Sequence, residues 1–486
     1  MSQTKSKATD LNLTVGSPFK LIIAFAIPMI IGNIFQQLYN FVDTMIVGKI
    51  LGVDALAGVG ATGSISFLIV GFCIGMCSGF AIPVAQMYGA KNYAGLRKYF
   101  ANSLYLAIGF SVVITVIVSL LCRQILTLMR TPTDCIEYSY VYILTIFIGI
   151  PITFLYNILA GVIRSIGDSR TPLIFLIIST FINVGLDYLF IAGFDWGVFG
   201  AALATLASQL MSGIMCIIVI VKRFTILHVS GDEWKPDGKY MGKLVAMGLP
   251  MGLQYSITAI GSVILQGSVN ILGPLAVAAA TAASKVNMLF LCLIDALGAS
   301  MATYGGQNLG AGKVDRIKRG TRDAVIIGIS YSIVAFIAVY FVRVPLIKMF
   351  VNDPAQDMID MASKHILITT GCLTLLVFVN VLRFLIQGVG YSNFAICAGV
   401  LEMIARTVAG IVFIPAWGFL GACVASPFAW LLADMFLVPA FFFVVGRLDK
   451  KLAAKAAAEA KEAEVSDDET SEDFVSAKEV EETLRI

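Results

Sequence analysis

Asn33, Gln36 or Gln37, Asn40, and Asp43 or Thr44 recur every three or four residues along an early apolar stretch. That spacing puts polar side chains on one face of a helix. A second stretch carries Asn183 and Asp187, four apart and therefore stacked. Further on, Thr205 follows the run Ala201-Ala202-Leu203-Ala204, and Tyr142 lies one or two turns inside another apolar stretch. Two carboxylates with amide and hydroxyl oxygens suit Na⁺, a hard cation. They suit a carried proton equally, because two close acids in a poor dielectric hold one jointly. The sequence leaves H⁺ and Na⁺ both open.

Such residues need elements that hold them away from water. The chain of 486 residues is 58% hydrophobic and 13% charged, with a mean hydropathy of +0.88. Soluble domains carry about 25% charge, so this composition belongs in a bilayer. A span takes about 20 apolar residues. Polar breaks predict spans near 19–46, 55–82, 98–121, 138–162, 172–192 and 197–221. A second set is predicted near 243–267, 275–300, 323–345, 364–387, 394–414 and 419–445. Long uninterrupted apolar runs exclude a β-barrel. The expected fold is an all-α integral membrane protein of twelve transmembrane helices.

The two sets repeat each other. Trp196-Gly197-x-x-Gly200-Ala201 returns as Trp417-Gly418-x-x-Gly421-Ala422, and Gln86-x-x-Gly89-Ala90 as Gln307-x-x-Gly310-Ala311. Ala26-Ile27-Pro28 returns as Gly248-Leu249-Pro250, and the offset is always 221 or 222. Two six-helix lobes follow, with a crevice between them where secondary transporters bind substrate. Of the Lys and Arg residues near span ends, 21 fall on one side, Arg164 among them, against five on the other. Both termini are therefore expected in the cytoplasm, and an even number of spans per lobe makes the repeats parallel.

The predicted organisation is a cytoplasmic segment 1–18, a first lobe 19–222, a linker 223–242, a second lobe 243–446 and a tail 447–486. Residues 449–486 carry a charge of −6, which leaves about +9 on the body. The tail reads as solvated, part helix and part disordered. No signal peptide is expected at the amino terminus. The nine cysteines show no metal spacing and read as buried or free thiols. His228 and His365 are expected in solvent. No nucleic-acid partner is expected.

The second lobe does not copy the acids of the first: Asp43 corresponds to Leu265 and Asp187 to Ala409. It has its own buried charges instead, Lys285, Asp295, Arg383, Glu402 and Arg406. Glu402 and Arg406, four apart, can pair. Structural pairing is the expected role of this set. An ionisable residue inside a span costs about 2.5–3.5 kcal/mol to insert, so each marks a candidate site.

Taken together, Pro28 with Phe41-Val42-Asp43-Thr44, Gln86-x-x-Gly89-Ala90, Arg164-x-x-Gly167-Asp168-Ser169-x-x-Pro172, Asn183-x-x-x-Asp187 and Gln307-Asn308-x-Gly310-Ala311 carry a resemblance. Over about 19–446 the chain resembles the multidrug and toxic compound extrusion transporters, in the DinF-like branch of the multidrug/oligosaccharidyl-lipid/polysaccharide flippase superfamily. The resemblance implies a cation-coupled antiporter, not an enzyme, that exports amphipathic, often cationic organic compounds by alternating access. It implies a coupling site at Asp43, Asn183, Asp187, Thr205 and Tyr142, with Na⁺ held at the first four if a metal is used. The residues themselves place Asn33, Gln36, Gln37 and Asn40 toward a lobe interior or an aqueous cavity, since a polar stripe cannot face lipid, and Pro28 before them permits a helix bend. No cofactor is expected beyond the coupling ion. Partners are small organic substrates and membrane lipid; one chain holds both lobes, so a monomer suffices. The location implied is a bacterial plasma or inner membrane. A lipid-linked oligosaccharide flippase is the alternative, for which Lys285, Arg383 and Arg406 would line the cavity.

Overall fold

The computed structural model describes residues 11–129, 131, 134–350 and 355–483. Among them there is no strand. Ten helices are long and apolar enough to cross a bilayer, and two bent pairs bring the spans to twelve. The first lobe comprises α1 (Pro18–Leu51), α2 (Val53–Ala61), α3 (Gly63–Gly89), α4 (Tyr93–Leu120), α5 (Cys122–Leu128), α6 (Ile136–Ile148), α7 (Ile150–Ser165), α8 (Arg170–Asp187) and α9 (Gly197–Arg223). The second comprises α10 (Gly238–Asn270), α11 (Pro274–Gly310), α12 (Val314–Phe350), α13 (Gln356–Gly371), α14 (Leu373–Gly388), α15 (Asn393–Val408), α16 (Ile414–Trp417) and α17 (Phe419–Thr483). The expected calls on residues 1–10 lie outside the described residues.

The repeat is visible in the irregularities. α6 and α7 meet at 48°, α13 and α14 at 47°. Proline removes a backbone donor inside α1 at Pro28 and inside α10 at Pro250. A π-turn follows α8 at Tyr188–Gly193 and follows α15 at Ala409–Phe413. Defects at one offset mark one ancestral lobe used twice.

Small residues bring the lobes together. α3 packs along α10, where a Cβ on Gly79 would lie 2.5 Å from the Gly248 Cα. At one end the repeated glutamines interlock. Gln86 Nε2 donates to the Gly388 carbonyl at 3.0 Å and Gln307 Nε2 to the Ser165 carbonyl at 2.8 Å. The segment before α1 straps this end: Leu13 N donates to Gln307 Oε1, and Arg316 donates to the carbonyls of Leu13 and Gly16.

α17 continues through the Ala/Glu/Lys run to Thr483. Those residues are the strongest helix formers, which accounts for the continuation. Pro439–Ile486 forms a second compact unit.

Candidate functional site

α1 separates two polar environments. Its Asn33 and Gln36 line a cavity of about 450 Å³ between the lobes, and Asn33 Nδ2 reaches the Cys292 carbonyl of α11 at 3.1 Å. Gln36 and Asn40 are exposed, and Gln37 Oε1 accepts from Asn40 Nδ2 at 3.3 Å. Asp43 instead turns into the first lobe, at 7% exposure. The single polar face read from the sequence is thus divided. Rotation does not divide it, since Asp43 is seven residues from Gln36 and nearly in line with it; Asp43 lies about 10 Å further along the axis, beyond the cavity and against Asp187 of α8.

Asp43 there meets Asp187 of α8, with Asn183 one turn earlier on the same face of α8, and both α8 residues are 0% exposed. The two carboxyls come within hydrogen-bonding reach of each other. Ionised carboxylates only accept, so this contact is a hydrogen bond only through a shared proton. Among the described residues, Asp43 Oδ1, both Asp187 oxygens and both amide atoms of Asn183 have no other partner. Each buried, unpaired polar atom costs about 1–3 kcal/mol, so a cluster of five calls for a cation. Tyr142 packs beside the apolar wall of Ile46, Val47 and Ala201 and is close to both acids. Thr205 accepts a hydrogen bond at 2.9 Å from Tyr39, which the sequence reading passed over. Tyr39 lies one turn before Asp43, an i,i+4 relation that was available from the sequence.

In the second lobe, four of the five predicted charges form one chain. Asn380 Nδ2 donates to Asp295 Oδ1 at 2.7 Å, and Arg383 Nη2 donates to Asn380 Oδ1 at 2.7 Å. Arg383 Nη1 donates to Glu402 Oε1 at 2.7 Å, and Glu402 Oε2 lies 3.6 Å from Arg406. Arg406 also donates to the Thr258 carbonyl and Ser262 Oγ. Two of the set correct the expectation of burial: Asp295 is exposed and lines the cavity, and Lys285 is exposed with Thr281, Ser284 and Met288. The buried stripe of α11 runs through Ala282, Ala283 and Val286, and Lys285 falls beside it. Asp434 of α17 is a buried carboxylate that the sequence reading missed, 8% exposed with neither oxygen hydrogen-bonded among the described residues.

Of Lys285, Arg383 and Arg406, the cavity is lined by Arg383 alone. Arg164, placed by the sequence among loop charges, lines it too. It sits in the last turn of α7, and helical side chains lean toward the helix N-terminus, which carries the guanidinium inward. His365 is half-buried rather than solvated, its ring edge-on to Phe419 at 6.0 Å.

The MatE family model matches residues 28–189 and 250–413, one match to each lobe. "Probable multidrug resistance protein YoeA" of Bacillus subtilis (strain 168) is 29% identical over 360 residues, 73% of this chain and 77% of that protein. "Multidrug export protein MepA" of Staphylococcus aureus (strain MSSA476) is 23% identical over 388 residues, covering 79% and 85%. A solved structure described as the outward-facing conformation of a multidrug resistance MATE family transporter superposes with a TM-score of 0.84. It is 22% identical and covers 93% of this chain and 100% of its own. At that identity the likeness shows a shared fold.

Proposed function

We propose that this chain, which belongs to the MatE family of membrane transporters, is a proton-coupled antiporter exporting amphipathic organic compounds. One observation carries the reading. A buried Asp43–Asp187–Asn183 cluster, short of hydrogen-bond partners among the described residues, lies at α1 about two turns beyond Gln36, which lines the interlobe cavity. Loading that cluster acts on the helix that forms the cavity wall. The approach of the two carboxyls favours a proton over Na⁺.

In the cycle proposed, substrate enters the cavity from the side bearing the termini, here taken as cytoplasmic, and leaves on the other. A proton from outside then occupies Asp43 and Asp187, shifts α1 about Pro28 and favours return. It biases the cycle only through its different affinity for the two states. Each charge carried inward yields about 2.3 kcal/mol per 100 mV. One chain suffices for transport, and its lipid-facing surface meets a bacterial plasma or inner membrane.

Proteoliposomes with an acid lumen test the proposal. Substrate added outside should release protons from wild type, and Asp43→Asn or Asp187→Asn should reduce that release at least tenfold while substrate still binds. Transport driven by a Na⁺ gradient without a pH gradient would assign the same oxygens, with Thr205, to Na⁺. Unchanged coupling in both variants would refute the site.

A further inference from the structure

Residues 11–16, ahead of α1, leave the first lobe, cross the second and return to the first at α1. At the first lobe, Leu11 N donates to the Gly167 carbonyl at 3.2 Å, in the turn between α7 and α8. Gly167 has φ +100°, and a Cβ there would fall 2.2 Å from the Leu11 carbonyl oxygen, so this stretch lies on bare backbone. At the second lobe, side chains from the end of α11 and the approach to α12 grip its carbonyls. Asn308 Nδ2 and Arg316 Nη2 both donate to that of Leu13, at 3.2 and 3.1 Å. Lys313 Nζ donates to that of Thr14 at 2.9 Å, and Arg316 Nη1 to that of Gly16 at 2.8 Å. Leu13 N donates to Gln307 Oε1 at 3.1 Å, and the Leu13 side chain is 1% exposed.

The linker ahead of α10 repeats the arrangement with the lobes exchanged. Arg97 and Asn102 of α4, in the first lobe, hold Glu233 and Asp237 just before a helix of the second. α12 is the counterpart of α4, its start displaced by 221 residues from Tyr93 to Val314. Each lobe's leading helix is thus tethered to the other lobe at the same repeated helix. Packing within a lobe does not require that exchange. Lobes that part at this end must break the tether on α1 or drag α1 along. Lys313 is exposed, so water replaces its bond to Thr14 when the tether is released. We propose that residues 11–16 are a latch, which holds this end shut when bound to α11 and α12 and lets the lobes part there when released. The inference rests on the alternating access proposed above. Its readout is opening itself, so it is decided separately from ion coupling.

The test uses the full-length protein in lipid nanodiscs, with spin labels on the ends of α3 and α11 and hydrogen exchange read over residues 11–16. Leu13→Ala empties the buried seat of the latch, and Arg316→Gln removes charged donors from two of its carbonyls. Each should speed exchange over 11–16 about tenfold and raise the ratio of long to short α3–α11 separations about tenfold. Val15→Ala, at a side chain 62% exposed, should alter neither. If Arg316→Gln fails to fold, Leu13→Ala decides the question, because it alters the latch and leaves both gripping helices intact. Faster exchange with an unaltered separation would make the segment passive packing and overturn the inference. Unaltered exchange in both variants would overturn it too, since these contacts would not be what holds the segment. Unchanged coupling in Asp43→Asn and Asp187→Asn would sink the antiport site and leave this distance test standing.

Discussion

Glu402 is the residue on which the second lobe's charges turn. It is 3% exposed and stands between Arg383 at 2.7 Å and Arg406 at 3.6 Å. Removing one partner of a buried ion pair costs roughly 3–5 kcal/mol, because the remaining charge has no counterion. Glu402→Gln leaves two guanidiniums facing each other. The purified variant should unfold at markedly lower temperature than wild type. Thr407→Val, on the same helix with only a backbone-directed hydroxyl, should not. Equal Tm values would mean that the Asn380 and Thr258 contacts hold the two arginines unaided. Glu402–Arg406 was legible as an i,i+4 pair. Arg383–Glu402 was not, since they are nineteen residues apart on successive helices, α14 and α15. Lys285 was misplaced for a related reason: an apolar run shows that a helix is inserted, but not which charged side chain is covered by a neighbour. Asp434 was legible by the rule that marked Asp295 and Arg383, an ionisable residue inside a predicted span, here 419–445, and was passed over.

Two helices that are each other's repeat partner, α3 and α11, close one end of the lobe pair by backbone contact. A Cβ on Gly89 would fall 1.9 Å from the Gln307 carbonyl oxygen, and one on Gly310 would fall 1.8 Å from that of Gln86. Real Cβ atoms do not come so close, and a backbone carbonyl cannot rotate aside as a long side chain can. Gly89→Ala or Gly310→Ala should therefore prop this end open. Spin labels on the ends of α3 and α11 should report a longer distance, and transport should fall at least tenfold. Gly109→Ala, with nothing within 4 Å of its Cβ, should change neither. An unaltered distance in both interface variants would show that closure does not depend on this contact. The sequence exposed both motifs through their offset, but a repeat says that two segments are alike, not that they touch. The bends at Gly149 and Cys372 were equally unreadable. Each interrupts an apolar run without a polar break, so one span was expected and a 48° or 47° pair was found.

The lobes joined by these contacts are covalently connected through a linker that belongs mechanically to the first. Arg97 of α4 holds Glu233 with two 2.7 Å hydrogen bonds. Tyr105 donates to the Trp234 carbonyl, and the Asp237 amide donates to Asn102 Oδ1. The start of α10 leans on the same helix, with Tyr240 against Tyr99 at 4.6 Å between ring centroids. The first turn of α10 is thus tied to the first lobe. Pro250 is the interior position at which α10 lacks a backbone donor, which permits a bend there. The lobe plan was legible from repeat and hydropathy alone. This attachment was not, because the linker's partners lie about 135 residues upstream. The Arg97 guanidinium holds the Glu233 carboxyl below its ordinary range. A depressed carboxylate stabilises the folded arrangement above the unfolded value, about 4.3, and loses that contribution as pH falls through the lowered one. Hydrogen exchange over residues 229–237, corrected for intrinsic rate, should accordingly be slow in wild type at pH 7 and speed up only in strong acid. Glu233→Gln should exchange fast already at pH 7. Identical exchange in the two proteins at pH 7 would show that Tyr105 and Asn102 hold the linker without the ion pair.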